Sequence, residues 1–235
     1  MKSIAIMQPT FLPWLGYFAL LDRVDEFVFL DDVQFDHRSW QQRNRIKTRN
    51  GEQMITLPVH RKGLQHQFIS DVRIHYGDAK VLIKIWKTIC LNYSKAPYFK
   101  SYGEELSEIF LGMPDRLLDL NCALIAWGAK TMQIGTPTLF SSQLAIQEKR
   151  EDKLLGICQE RQADIYISPP GSQSYLEGNT SFCSNGIKLI YHNFTHPIYK
   201  QCYGDFVPYM SFLDLIFNYG KGSLKIIRGG NDRKF

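Results

Sequence analysis

The densest group of side chains able to do chemistry lies between Asp31 and Arg45: Asp31, Asp32, Gln34, Arg38, Arg43, Asn44 and Arg45. An adjacent carboxylate pair can bind a divalent cation or an amine, or take up a proton as a general base. The arginines offer planar forks that match phosphate and carboxylate. The same groups can equally neutralise one another in a structural ion network. Arg43-Asn44-Arg45 sits between Trp40 and the apolar Ile46, so part of it is expected under cover, and a covered guanidinium needs an anionic partner.

Other candidates are spread along the chain. Gln8 follows an apolar run and can either hydrogen-bond a ligand or cap the next turn. Trp14 and Tyr17 can line a pocket or join the core. Of the six histidines, His192 and His196 follow an apolar run, with Tyr199 close by. Either can be a general base, or simply a packed side chain. The loop Pro170-Gly171-Ser172-Gln173-Ser174-Tyr175 can cradle a phosphate on backbone N–H groups. It holds one glycine, and the chain contains neither a P-loop nor GxGxxG. GxSxG, HExxH and kinase signatures are absent from the sequence too. The sequence assigns no cofactor and no metal.

The elements that position these groups begin with a strand, a helix and a strand. Ile4-Ala5-Ile6-Met7 reads as a short buried strand, and Pro9 and Pro13 bracket a turn. Leu15 to Val24 carries apolar residues at helical spacing, and Phe27-Val28-Phe29-Leu30 is a second strand that stops at Asp31-Asp32. Such a βαβ unit forms parallel strands with a right-handed crossover. Ligands in open sheets of this kind bind beyond the carboxyl ends of the strands, which here are Gln8-Pro9 and Asp31-Asp32.

Further on, Met54 to Val59 reads as a third strand, His60 to Gln67 as a basic loop able to contact substrate, and Ile69 to Ile74 as another short strand. Asp78 to Asn92, Tyr102 to Phe110 and Leu117 to Trp127 read as helices, and Leu139 to Ser142 as a strand. A helix over Glu148 to Arg161, strands at Asp164–Ser168 and Ile187–Tyr191, and a helix over Asp205 to Asn218 follow. The expectation is α/β: a mostly parallel Rossmann-like sheet with a helical middle section. It forms one domain over residues 1–228, with the helical insertion at about 78–130 and a frayed tail at 229–235.

Composition narrows the class. With 44% hydrophobic and 22% charged residues, the 235-residue chain is an ordinary globular protein. A net charge of +5 favours an anionic ligand but is too dispersed for duplex nucleic acid. Five single cysteines without CxxC spacing argue against structural zinc and for a reducing compartment. There is no signal-peptide pattern and no apolar run of membrane-spanning length. A cytoplasmic protein without a membrane span is expected.

Taken together, MQPTFLPWLGYF, FVFLDDVQF and RSWQQRNRIK resemble the WbqC-like family of bacterial proteins. NYSKAPYF, EDKLLGICQERQADIYISPPGSQSYL, SNGIKLIYHNF, HPIYKQ and GDFVPYMSFLDLIFNYG follow in the family's order, up to about Gly222. The resemblance implies a place in surface-polysaccharide, including O-antigen, biosynthesis. It points to Gln8, Pro9, Trp14, Asp31, Asp32, Gln34, Arg43, Asn44 and Arg45, then Gly171, Tyr175 and His196. It also marks a departure, since many relatives carry His where this chain has Met7.

The function expected from these signs is a transferase that adds an acyl or aminoacyl group to a nucleotide-linked amino sugar. Asp31, Asp32 or His196 would act as base, and the arginines would hold the diphosphate. An ATP-dependent adenylating or nucleotidyl-transfer enzyme, and a non-catalytic nucleotide-sugar binder, stand as alternatives. The partner is a small molecule, and a homo-oligomer is compatible with the chain.

Overall fold

The computed structural model describes residues 1–64, 66–77, 80–176 and 178–230, without the side chains of Ser174 and Tyr175. Its centre is a five-stranded, all-parallel sheet. The strands are β1 (Ser3–Met7), β2 (Glu26–Phe29), β5 (Thr138–Phe140), β6 (Ile165–Ser168) and β7 (Lys188–Tyr191), in spatial order β5-β2-β1-β6-β7. β1 pairs with β2 from Ile4 opposite Glu26 to Met7 opposite Phe29, and with β6 through Ser3 opposite Ile165. The expected opening unit is present, with helix α1 (Leu15–Arg23) crossing between β1 and β2.

Side-chain alternation along the strands splits the core into two layers. Ala5, Phe27, Phe29, Ile165 and Ile167 face one layer, and Ile4, Ile6, Val28 and Tyr166 face the other. Helices α1, α4 (Leu117–Met132) and α8 (Phe212–Tyr219) cover the first, while α5 (Arg150–Glu160) and the short α7 (Ser181–Ser184) cover the second. The chain winds outward from β1 towards β2 and β5, then returns through α5 to β6 and winds the other way. This doubly wound arrangement is Rossmann-like and places the topological switch between β1 and β6.

Between β2 and β5 lies the largest insertion. It opens with an antiparallel hairpin, β3 (Arg43–Thr48) and β4 (Gly51–Thr56), which pairs only with itself. Helices α2 (Val81–Tyr93) and α3 (Phe99–Leu111) follow, then α4. Asp78 and Ala79, where the first of these helices was expected to start, lie outside the described residues.

Some elements differ from expectation. Ile69 to Ile74 is not a strand. Ile69–Asp71 forms a 3₁₀ turn, and Ile74 makes one isolated bridge to Val59. Ile69, Val72 and Ile74 are all buried, so the apolar spacing reports core contacts rather than a pleat. The last long helix starts at Phe212 instead of Asp205. Tyr203 and Tyr209 adopt left-handed φ of 62° and 60°, and the Ser211 side chain accepts from the Leu213 N–H to cap the helix there. Helix α9 (Ser223–Gly229) then closes the described chain, and 231–235 of the expected tail lie outside it.

Candidate functional site

A cleft of about 750 Å³ opens at the carboxyl ends of β1, β6 and β7, at the switch point of the sheet. Its floor comes from Met7 and Gln8 as the chain leaves β1. One wall is the Pro170–Ser172 turn after β6, and another is His192, Asn193 and Phe194 after β7. Trp14 and Tyr17 enter from the start of α1, and Ser39, Trp40 and Gln41 from the segment before the hairpin. A second chamber of about 200 Å³ adjoins the first across Trp14, Trp40 and Tyr209, and reaches Thr10, Asn44 and Arg45.

Local contacts hold these walls. Gln41 Nε2 donates to Gln8 Oε1 at 2.7 Å. Asn121 Nδ2, buried on α4, donates to the Pro9 carbonyl at 3.2 Å and the Gln41 carbonyl at 2.8 Å. Asn44 Nδ2 donates to the Phe11 and Leu12 carbonyls at 3.1 and 2.7 Å. The Trp14 indole packs against Phe194 and Tyr209, each with ring centroids 5.6 Å away. It also lies on Gly16, where a Cβ would stand 2.2 Å from the ring. Only a residue without a side chain fits beneath it there.

The structure brings Gln8, Trp14, Asn44, Arg45 and Gly171 to this cleft or its side chamber. Asp31 and Asp32 are placed elsewhere. Asp31 is buried and accepts from the Ser142 N–H at 3.0 Å and the Ser142 hydroxyl at 2.7 Å. Asp32 pairs with Lys153 Nζ at 2.7 Å and accepts from the Ser141 hydroxyl. The pair thus binds the end of β5 to α5, and neither carboxylate is on the cleft lining. Arg43 donates to the Arg38 carbonyl and lies with Arg45 over the Trp40 ring, at 5.9 and 5.2 Å from its centroid. Gln34 makes a bridge to Phe68. Tyr175 falls within the short α6 (Gln173–Leu176), but its side chain is outside the described residues. The basic loop after β4 contributes nothing to the cleft lining, and its Gln65 lies outside the described residues.

The two histidines present opposite faces chemically. His192 Nδ1 lies 3.4 Å from Arg23 Nη1. A guanidinium only donates, so Nδ1 accepts, and the neutral ring carries its proton on Nε2. His196 Nδ1 lies 3.0 Å from the Pro197 carbonyl, which only accepts. Its proton therefore sits on Nδ1, and Nε2 is a bare lone pair, buried and without a hydrogen-bond partner among the described groups. Burial pushes the His196 pKa down, which keeps that lone pair free near neutral pH. The His196 ring stands behind the cleft wall, 5.3 Å from Tyr209 and 6.1 Å from Phe194.

Burial pushes the Cys122 and Cys158 thiols up to about 12, so neither is a thiolate at neutral pH. Among the described residues, no three His, Cys, Asp or Glu side chains gather as a metal-ion site.

Residue-type reasoning missed Thr10, Ser39, Trp40, Gln41, Asn193 and Tyr209 as wall residues. Trp40 and Gln41 stand in the same dense segment as the arginines, and that was the available signal. Tyr209 carried none, because its φ of 60° breaks the helical pattern in which it was read.

The family model described as "WbqC-like protein family" matches residues 8–226. A Mycobacterium tuberculosis protein described as "Uncharacterized protein Rv1507c" is 36% identical over 223 residues, covering 94% of this chain and 95% of that protein. No solved structure matches.

Proposed function

The chain belongs to the WbqC-like protein family, and from that premise we propose that it is a cytoplasmic transferase of bacterial surface-polysaccharide assembly. Its substrate is a nucleotide-linked amino sugar, which receives an acyl or aminoacyl group. The glycan link rests on the family. The observation that carries the small-molecule reading is the cleft at the sheet switch point, lined by aromatic faces and amide groups. Aromatic walls with a few placed polar groups are the usual make-up of a small-molecule site. Trp14 and Tyr209 offer stacking faces, and Gln8, Gln41 and Asn193 offer both donors and acceptors for hydroxyl groups.

In this reading the amine nitrogen attacks the carbonyl carbon of an activated acyl donor. The leaving group departs with its bonding electrons, and the amine's proton passes to a base. His196 Nε2 is the base candidate with an unengaged lone pair; it is closed off behind Tyr209, and that wall must shift to admit a substrate to it. His192 Nε2–H suits donation to an oxygen that gains charge. Asp31 and Asp32 act by fixing the end of β5 unless a substrate releases them from Ser142 and Lys153.

The test is calorimetric titration with UDP-, dTDP- and GDP-sugars, followed by mass spectrometry of UDP-glucosamine incubated with acetyl-CoA. Micromolar binding that is lost in Trp14→Ala, and an acetyl mass gain that is lost in His196→Gln, are expected. Absence of binding by every nucleotide sugar overturns the reading. Pyrophosphate release from ATP would instead establish adenylation, and binding without turnover across acyl donors would establish a non-catalytic binder.

A further inference from the structure

The smaller chamber carries a distinct chemistry. Its volume of about 200 Å³ falls below the roughly 300–1,000 Å³ of sites that enclose a whole drug-sized ligand. It therefore suits one ring of a ligand whose bulk occupies the adjoining 750 Å³ cleft. Trp14, Tyr17, Trp40 and Tyr209 supply its aromatic walls. Among the described residues that line it, Arg45 carries the fixed charge. The Asn44 amide is committed to Phe11, Leu12 and the Arg45 N–H.

Arg45 is held for a purpose its own contacts do not exhaust. Nη1 pairs with Glu52 at 3.0 Å, and the guanidinium lies over the Trp40 ring. Its Nε is buried with no acceptor among the described groups. That nitrogen is closed to solvent, so what Arg45 presents to the chamber is a donor-only cation, which pairs only with an acceptor.

We propose that this chamber is the glycosyl subsite of the cleft, and that the sugar edge facing Arg45 bears an acceptor oxygen, a carboxylate or an acyl carbonyl, rather than a protonated amine. This rests on the nucleotide-sugar reading and deepens it. The nucleotide occupies the larger cleft, the sugar ring lies against the Trp14 indole with one edge towards Arg45, and a reacting amine lies on the opposite edge of the ring. Gly16 sets the room available. With a Cβ only 2.2 Å from the indole, any side chain at 16 must displace the Trp14 ring, which walls both cavities.

Titration calorimetry with UDP, dTDP, UDP-glucose, dTDP-glucose, UDP-glucuronate, UDP-N-acetylglucosamine and UDP-glucosamine tests this. Glucuronate and N-acetylglucosamine conjugates should bind at least tenfold tighter than UDP, and tighter than UDP-glucosamine, which brings the reacting amine but no carboxylate or acyl oxygen to Arg45. Arg45→Met should erase that advantage, and the salt dependence of glucuronate binding with it. Gly16→Ala, which displaces Trp14 from the wall the two cavities share, should weaken every conjugate more than its free nucleotide. Tyr209→Ala, at a half-exposed position, should weaken conjugate binding in the same way without threatening the fold.

If nucleotides bind but their sugars add nothing, or if UDP-glucosamine is preferred, the subsite is overturned and the nucleotide-sugar reading is judged on its own test. If neither nucleotide nor conjugate binds, both fail together. The carboxylate and N-acetyl arms separate the two sources of the acceptor oxygen.

Discussion

Asn44 spends its whole amide on backbone. Nδ2 donates to two carbonyls, and Oδ1 accepts from the Arg45 N–H at 2.8 Å. One of those carbonyls belongs to Leu12, which holds a left-handed φ of 47°, so the side chain pins a turn that is unfavourable for leucine by itself. Asn44→Ala leaves both carbonyls without this donor, and a buried unsatisfied group costs about 1–3 kcal/mol. A urea melt should show a loss of that size with an unchanged slope. Because the same turn delivers Trp14, ligand affinity should fall as well. A melt identical to the parent's would show that the turn holds itself. The residue type was legible in the Arg43-Asn44-Arg45 run, but its partners were not, since they lie more than thirty residues earlier in the chain. Asp31 and Asp32 repeat the lesson at greater range. Their visible spacing suggested a site, whereas their partners Ser141, Ser142 and Lys153 lie over a hundred residues away and become neighbours only when β5 pairs with β2.

The hairpin and α8 are joined through a buried polar network that no local pattern announces. Lys47, on β3, is buried and donates Nζ to Gln201 Oε1 at 3.0 Å and to the Asp205 carbonyl. Tyr199 donates its hydroxyl to Asp214 at 2.9 Å, in the first turn of α8. Burial is the larger influence on Asp214 and raises its pKa from 3.8 to about 6, against the hydrogen bonds that favour its ionised form. The folded state therefore holds a proton more tightly than the unfolded chain does. The stability this contributes is fully present below pH 3.8 and is lost as pH rises through about 6. Asp214→Asn keeps an acceptor for Tyr199 without the charge. Its melting temperature relative to the parent should climb as pH rises from 3.8 through about 6 and level off above, and a constant difference across that range would refute the assignment. Periodicity served elements that pack along one face and failed where the backbone turns. The pattern from Asp205 to Asn218 looked helical throughout, yet its first half carries the Asp205 carbonyl that Lys47 holds and the left-handed Tyr209.

At the scale of the molecule, the switch between β1 and β6 creates the cleft, and strand order is what the sequence could not express. The βαβ start was legible because its strands are short continuous apolar runs that pair only 22 residues apart, Ile4 opposite Glu26. Nothing in Asp164 to Ser168 states that this strand returns to the far side of β1, since its register of Ser3 opposite Ile165 spans most of the chain. The same topology bears on how the protein unfolds. One apolar cluster runs from Ala5 through α2, α3 and α4 to Ile227, so the helical insertion shares its core with the sheet instead of owning one. We propose that residues 1–228 form a single cooperative domain, and calorimetry should then give one transition with equal calorimetric and van't Hoff enthalpies. Within that single unit the ligand should act locally. Hydrogen exchange with a saturating nucleotide sugar should slow at 8–17, 39–45, 169–173 and 191–194, the segments that wall the cleft, while α2 and α3 keep their unliganded rates. Protection centred on the helices of the insertion would move the site away from the switch point.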